Sequence, residues 1–276
     1  MLRFPPRRIL VAVDFSDASA RALRAAKLLA RRCHASLEAV YCEAPLTAEL
    51  FAYGPYAEDR ENLRRTVRNL RLRVTGDLPL HAGYGEPATL IARVARRRGA
   101  DLVVVGTHGR RGLLRALLGS VAESVIRESP APVLVVRKNF RPPRRVLAPI
   151  AEDRDAARGL LAAGLVARAF KARLDVLHVI EDPIFGTNPE RLLSARLRRL
   201  PKNVRRDTHP TAEVKLGRPV PTILRATRGR DLMVLLARPK SLLGDMVLGT
   251  TAERLARFSP IPVLAIPAAA SGGGRE

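Results

Sequence analysis

Two kinds of hydrophobic pattern take turns along this chain. Short runs rich in Val, Ile and Leu occur at residues 9–13, 37–41, around Leu80, at 102–105 and at 133–136. Runs of that length and composition predict strands buried on both faces of a sheet. Between them lie stretches with helical spacing of the apolar positions, over 18–32, 59–72, 88–98 and from Ser120 onward. Strands alternating with helices predict an α/β unit built on a parallel sheet. In a doubly wound sheet the order reverses near the first and fourth strands, and ligands bind there, outside the strand carboxyl ends. Asp14 directly follows the first strand and Gly106 the fourth, so the two are expected on opposite sides of one crevice.

The pattern then repeats. Pro5-Pro6-Arg7-Arg8 returns as Pro142-Pro143-Arg144-Arg145, and Ala39-Val40 is matched to His178-Val179. Gly85-Glu86-Pro87 returns as Gly217-Arg218-Pro219, Asp101-Leu102 as Asp231-Leu232, and Gly119-Ser120 as Gly249-Thr250. A period this long means a duplicated domain and not a solenoid, whose units are far shorter. The expected organisation is one domain over 1–137, a Pro- and Arg-rich linker over 138–145, a second domain over 146–267, and a disordered tail over 268–276.

Composition narrows the class. An apolar content of 47% is that of a globular chain, and no stretch is long and apolar enough to span a bilayer. The first eight residues lack the apolar core of a signal peptide, and Cys33 and Cys42 are too few for a disulfide framework. A cytoplasmic location is the expectation. The net charge of +23 invites a nucleic-acid partner. Along the sequence, however, the arginines look scattered over helical faces, and with 4% aromatic residues base-stacking platforms are poorly supplied. Specific nucleic-acid binding is therefore not expected.

The candidate chemistry lies in residues 106–121. Gly106 and Gly109 permit a tight turn and a close approach of backbone to a ligand. Gly119-Ser120 opens the next helical stretch, where backbone N–H groups and a helix dipole suit a phosphate. A purely structural alternative stands beside this one: Ser120 with Glu123 fits the capping box S-x-x-E, which needs no ligand.

The spacing G-x2-G-x9-G-S, placed after a strand and before a helix that ends in Ser129-Pro130-Ala131-Pro132, resembles the nucleotide-binding signature of the universal stress protein family. The resemblance extends over nearly the whole chain and implies two flavodoxin-like, doubly wound α/β domains in tandem. It implies a nucleotide contact for Asp14, with Ala12 and Val40 around adenine. Gly106, Gly109, Gly119, Ser120 and Val121 would hold ribose and phosphates, with Arg110 placed for a phosphate. The implied cofactor is ATP with Mg2+ or Mn2+, in stress response or signalling through unnamed protein partners. The resemblance also implies an intramolecular pseudo-dimer formed through the last strands, 133–136 and 263–266.

Copy two departs from the signature. Asp14 aligns with Ala151, Gly106 with Leu236 and Gly109 with Pro239, which has no N–H to donate. Only Gly249-Thr250 persists, and a helix start explains it. The second copy is thus expected to be a scaffold without nucleotide. Elsewhere Gly83-x-Gly85-x-x-Ala88 matches a dinucleotide fingerprint but follows the wrong strand, and a P-loop, a G-x-S-x-G elbow and an activating carboxylate pair are absent from the sequence. ATP hydrolysis, if any, is expected to be slow. A nucleotide-independent interaction scaffold and a basic nucleic-acid-associated protein are the competing readings.

Overall fold

The computed structural model describes residues 3–43, 56–107, 119–151, 155–182, 188–237 and 251–267. Gly109, Arg110, Pro239, Gly249, Thr250 and the tail over 268–276 lie outside the described residues. The chain divides into two compact units, Pro6–Phe140 and Arg141–Glu276, the latter joined by Met1–Pro5. The rings of Phe4 and Phe170 meet at 5.7 Å within that second unit.

In the first unit β1 (Arg8–Ala12), β2 (Ser36–Glu43), β3 (Leu80–Tyr84), β4 (Leu102–Gly106) and β5 (Val133–Val136) form a parallel sheet in the order β3-β2-β1-β4-β5. Its helices are α1 (Asp17–Cys33), α2 (Tyr56–Leu70), α3 (Pro87–Arg98) and α4 (Ser120–Glu128). The order reverses between β1 and β4, as doubly wound sheets do. Right-handed crossovers then put α1 and α2 on one face and α3 and α4 on the other. The packing agrees, with α1 against β1 and β4, and α3 against α4 and β2. Ile9, Leu10, Leu102, Val103 and Val104 are at most 2% exposed, which is why these strands read as unbroken apolar runs. After α2 the chain widens into one looser turn over Arg71–Thr75, closed by the Gly76 N–H on the Arg71 carbonyl at 2.8 Å.

The second unit repeats the plan. Its strands β6 (Arg145–Pro149), β7 (Arg173–Ile180), β8 (Thr211–Leu216), β9 (Leu232–Ala237) and β10 (Val263–Pro267) run parallel in the order β8-β7-β6-β9-β10. The helices are α5 (Ala156–Phe170), α6 (Pro189–Arg198), α7 (Lys202–Thr208), α8 (Pro219–Arg225) and α9 (Thr251–Phe258). Strand register corrects one match made from sequence. Ala12 pairs with Val40, and Pro149, its counterpart, pairs with Leu177. The Val13 N–H reaches the Val40 carbonyl and the Ile150 N–H the Leu177 carbonyl. Ala39-Val40 therefore corresponds to Val176-Leu177, two residues before the match to His178-Val179. Apolar dipeptides in buried strands look alike; the hydrogen-bond ladder tells them apart.

Among the described residues no helix is long and apolar enough to cross a membrane.

Candidate functional site

The crevice of the first unit is built by the ends of β1 and β4. Ala12 and Val40 sit side by side as register partners on β1 and β2, with Val40 buried and Ala12 half-buried. Two residues on, Asp14 lies in a turn that fixes its carboxylate. Its Oδ1 accepts the Ser16 N–H at 2.7 Å, an Asx turn. The Ser19 hydroxyl donates to the Asp14 carbonyl at 2.8 Å and accepts the Asp14 N–H at 3.1 Å. Capping of α1 falls to Ser16, whose side chain accepts the Ser19 N–H. Asp14 is thus spared that duty, and its Oδ2 makes no hydrogen bond among the described residues. Ser19, which orients the Asp14 backbone, went unread in the sequence; a serine five residues after the carboxylate was its one signal.

Gly106 ends β4, and its missing side chain also serves the packing of α1. A Cβ there would lie 2.6 Å from the backbone C and O of Ala18 and 2.9 Å from its Cβ. The missing side chain lets the first turn of α1 press onto β4. Next to it Thr107, 3% exposed, accepts the Gly119 N–H through its carbonyl at 2.5 Å. That bond ties the start of α4 to the end of β4, although 108–118 intervene. Thr107 too had no mark in the sequence beyond its place after a strand.

The start of α4 also differs from the capping box. Gly119 itself is the N-cap, with φ −72° and ψ 150°, and no side chain caps the helix. Ser120 is the first helical residue and exposed, and the Glu123 N–H that the box would direct to its hydroxyl goes to the Gly119 carbonyl at 3.2 Å. The helix begins at Ser120, as its sequence predicts, and the Thr107–Gly119 bond anchors its N-cap. Val121 follows, 37% exposed. The structure therefore brings Ala12, Asp14, Val40, Gly106, Gly119, Ser120 and Val121 to the carboxyl ends of adjoining strands, at a helix start whose first amides have no side-chain acceptor among the described residues. Gly109 and Arg110 lie outside the described residues.

Around this edge the chemistry is quiet. Gly85 has φ +117° and Glu86 caps α3 through Thr89 at 2.8 Å with Pro87 beginning the helix, so Gly83 to Ala88 is a turn into a helix. Burial, with Glu86 and Glu43 beside it, pushes the Cys42 thiol up to about 11. Its Sγ donates to the Gly85 carbonyl at 3.2 Å. Among the described residues no group of three or more His, Cys, Asp or Glu is placed to hold a metal ion.

The corresponding edge of the second unit carries different residues. Ile150, 7% exposed, stands where Val13 stands, and Ala151 replaces Asp14. Leu236 takes the place of Gly106, and its Cδ1 would come within 3.1 Å of a Cβ on Gly159. The residue that lets helix and strand approach has moved from the strand to the helix. α5 begins only at Ala156, with Asp155 making no capping bond.

Comparison with known proteins places this architecture. Residues 6–137 and 143–267 each match the sequence profile of the universal stress protein family. A universal stress protein of Methanocaldococcus jannaschii is 34% identical over 143 residues, covering 48% of this chain and 82% of that protein. Another, from Bacillus subtilis, is 34% identical over 148 residues, covering 47% of this chain and 98% of that protein. In fold, a crystal structure of a universal stress protein from Archaeoglobus fulgidus superposes with a TM-score of 0.69 at 20% identity, covering 96% of this chain and 99% of the other. Two profile matches in succession, on two parallel doubly wound sheets, mean that the chain belongs to the universal stress protein family as a tandem, two-domain member.

Proposed function

We propose that the first domain binds ATP, with Mg2+ or Mn2+, and that the second is a scaffold that binds none. We take the domains as 1–137 and 146–267, with 138–145 as linker. The observation that carries this reading is the start of α4. Its N-cap is a glycine, its first-turn amides have no side-chain acceptor among the described residues, and an exposed Ser120 sits beside them at the edge that also holds Asp14. Uncapped amides at a helix start, next to a tight strand end, are what a triphosphate needs. A divalent ion would enter on the phosphates and water, since the described residues supply no acidic cluster for it. Family membership supports a role in stress response or signalling, and two free thiols support the cytoplasm as its compartment.

Isothermal titration of the full chain tests the reading. One ATP per chain is expected, and Asp14→Ala should weaken binding by about 1–3 kcal/mol, the range for a hydrogen bond to a charged partner. A stoichiometry of two, or no binding with no nucleotide released from heat-denatured protein, would overturn it in favour of a nucleotide-independent scaffold.

We further propose that the domains associate through β5 and β10 as an intramolecular pseudo-dimer. The support is sequence chemistry: Val133–Val136 and Val263–Pro267 are apolar and rich in β-branched residues, a hazard as open edges, and covalent linkage raises the effective concentration of the partner. Hydrogen exchange should show continuous amide protection along both strands. Fast exchange at alternate amides of either would refute the pairing.

A further inference from the structure

The arginines that look dispersed along the sequence are gathered by the fold. In a parallel α/β sheet every strand begins at the same edge, and helices that connect the strands end there. α1 ends with Arg31 and Arg32 in its last turn, and α3 ends with Arg96, Arg97 and Arg98. β1 begins between them at Arg7 and Arg8. The Arg7 carbonyl accepts the Ser36 N–H at the foot of β2, and the Arg8 carbonyl accepts the Asp101 N–H at the foot of β4. Because α1 and α3 lie on opposite faces, these guanidinium groups straddle the edge.

Two acids at this edge are engaged. Asp101 Oδ2 accepts the backbone N–H groups of Arg7 and Arg8 at 2.8 and 3.0 Å, leaving the arginine side chains to point elsewhere. Glu38 is held by Arg98 at 2.9 Å and by His81 at 2.6 Å. Asp77, ahead of β3, has no partner among the described residues, and exposed Arg71 and Arg73 stand near it in sequence. Arg7, Arg31, Arg32, Arg96 and Arg97 are exposed and make no hydrogen bond or ion pair through their side chains among the described residues.

Helix dipoles explain a cation or so at each helix end. They do not explain the paired arginines at the strand start, and these are built twice. Asp231 Oδ2 accepts the N–H groups of Arg144 and Arg145, both at 2.9 Å, and the Arg144 carbonyl accepts the Arg173 N–H. Arg144, Lys171, Arg173 and Arg228 are exposed around that clamp. The second copy has lost the features of its opposite edge and kept this one.

We propose that the strand-start edge of each unit binds the phosphate backbone of duplex nucleic acid without reading sequence. Guanidinium forks suit phosphate oxygens, and a duplex asks for none of the stacking aromatics this chain lacks. An anionic membrane fits less well. It calls for apolar side chains among the cations, and of the exposed large apolar residues described in the first unit only Leu72 lies toward this edge, with Phe15 and Val121 at the opposite one.

The test is fluorescence anisotropy of a labelled mixed-sequence DNA duplex with the full chain, titrated from about 50 to 200 mM salt. The edge variant replaces Arg31, Arg32, Arg96 and Arg97 by Gln; a control replaces the mid-helix cations Arg24, Lys27, Arg64 and Arg93 by Gln. The edge variant should bind at least tenfold more weakly at about 0.1 M salt. Its log–log salt slope should shrink by about 3.6 units, near 0.9 for each of the four phosphates no longer neutralised. The control and Gly119→Val, at the opposite edge, should bind as wild type. Equal weakening in edge and control variants would reduce the effect to net charge and overturn the proposal. So would binding to phosphatidylserine vesicles with no affinity for the duplex. Circular dichroism confirms folding, and if the quadruple variant fails to fold, the pair Arg96→Gln and Arg97→Gln carries the comparison with half the change in slope.

Discussion

The two units of this chain share a topology and part company at one edge. In the first, Gly106 lets α1 begin at Asp17, its first turn hard against β4, with Asp14 held in an Asx turn beside the helix. In the second, Leu236 stands in place of Gly106, Gly159 gives way on the helix side, and α5 begins at Ala156. One fold thus accommodates two arrangements by shifting a glycine across the helix–strand contact. The lesson is that the sheet and the crevice are separable. Duplication preserved the apolar runs that build the sheet, while the small residues and the carboxylate that keep a crevice open were free to change in one copy.

Four experiments bear on that contrast. The largest effect is expected from Gly119→Val, which should abolish ATP binding while the protein stays folded. The φ and ψ of Gly119 suit a β-branched residue, so the loss would come from the side chain crowding the phosphates and not from backbone strain. Calorimetry and melting together decide, and unchanged binding would move the site elsewhere. Gly249→Val in the second domain should leave the stoichiometry at one in protein that folds.

Next in size is a contrast in thiol reactivity. Both cysteines lie in the first unit. With its value pushed up to about 11, Cys42 should react with a disulfide reagent roughly two orders of magnitude more slowly than a thiol of ordinary value near 8.5. Denaturation of the first unit should release it. A fast native rate would mean that the thiol is open to solvent.

Gly106→Leu, which copies the second unit into the first, comes third. The new side chain would meet the Ala18 backbone, which cannot swing aside, so a loss of about 3 kcal/mol, the upper end for overpacking, is expected. The reciprocal change Gly159→Ala meets only the tip of Leu236 at 3.1 Å and should cost less than about 1 kcal/mol. Equal melting shifts would contradict the asymmetry.

The smallest effect concerns acid. The Arg98 guanidinium, bonded to both oxygens, holds Glu38 below the ordinary carboxylate range against the opposing pull of burial, and His81 adds to it. A depressed folded value means that the stabilisation is present above the unfolded value and is lost as pH falls through the folded one. The first unit should therefore lose stability below about pH 4. Glu38→Gln should flatten that limb of the stability curve, and an unchanged limb would assign it to other groups.

How far the sequence reveals all this depends on the range of the interaction concerned. Strand positions were legible because burial on both faces forces continuous apolar runs, and β5 lies at 133–136 as its residues predict. The start of α4 at Ser120 was legible as well, but its N-cap is Gly119, so the local capping rule that Ser120 and Glu123 fit is not the one the helix uses. The register of β7 was misread by two residues, because hydrogen bonding between strands, not composition, decides it.

By itself the sequence determined that the chain is a duplicated α/β protein of one family, and that one copy lacks the carboxylate and the turn glycines of the other. Those properties are written in local composition and in repeats. Only the tertiary structure decided that Gly106 serves α1, that Ser16 frees Asp14 from capping, and that arginines separated by tens of residues share one edge. Sheet order sets those neighbours, and it brings together residues such as Arg8 and Asp101 whose distance along the chain says nothing about their distance in space.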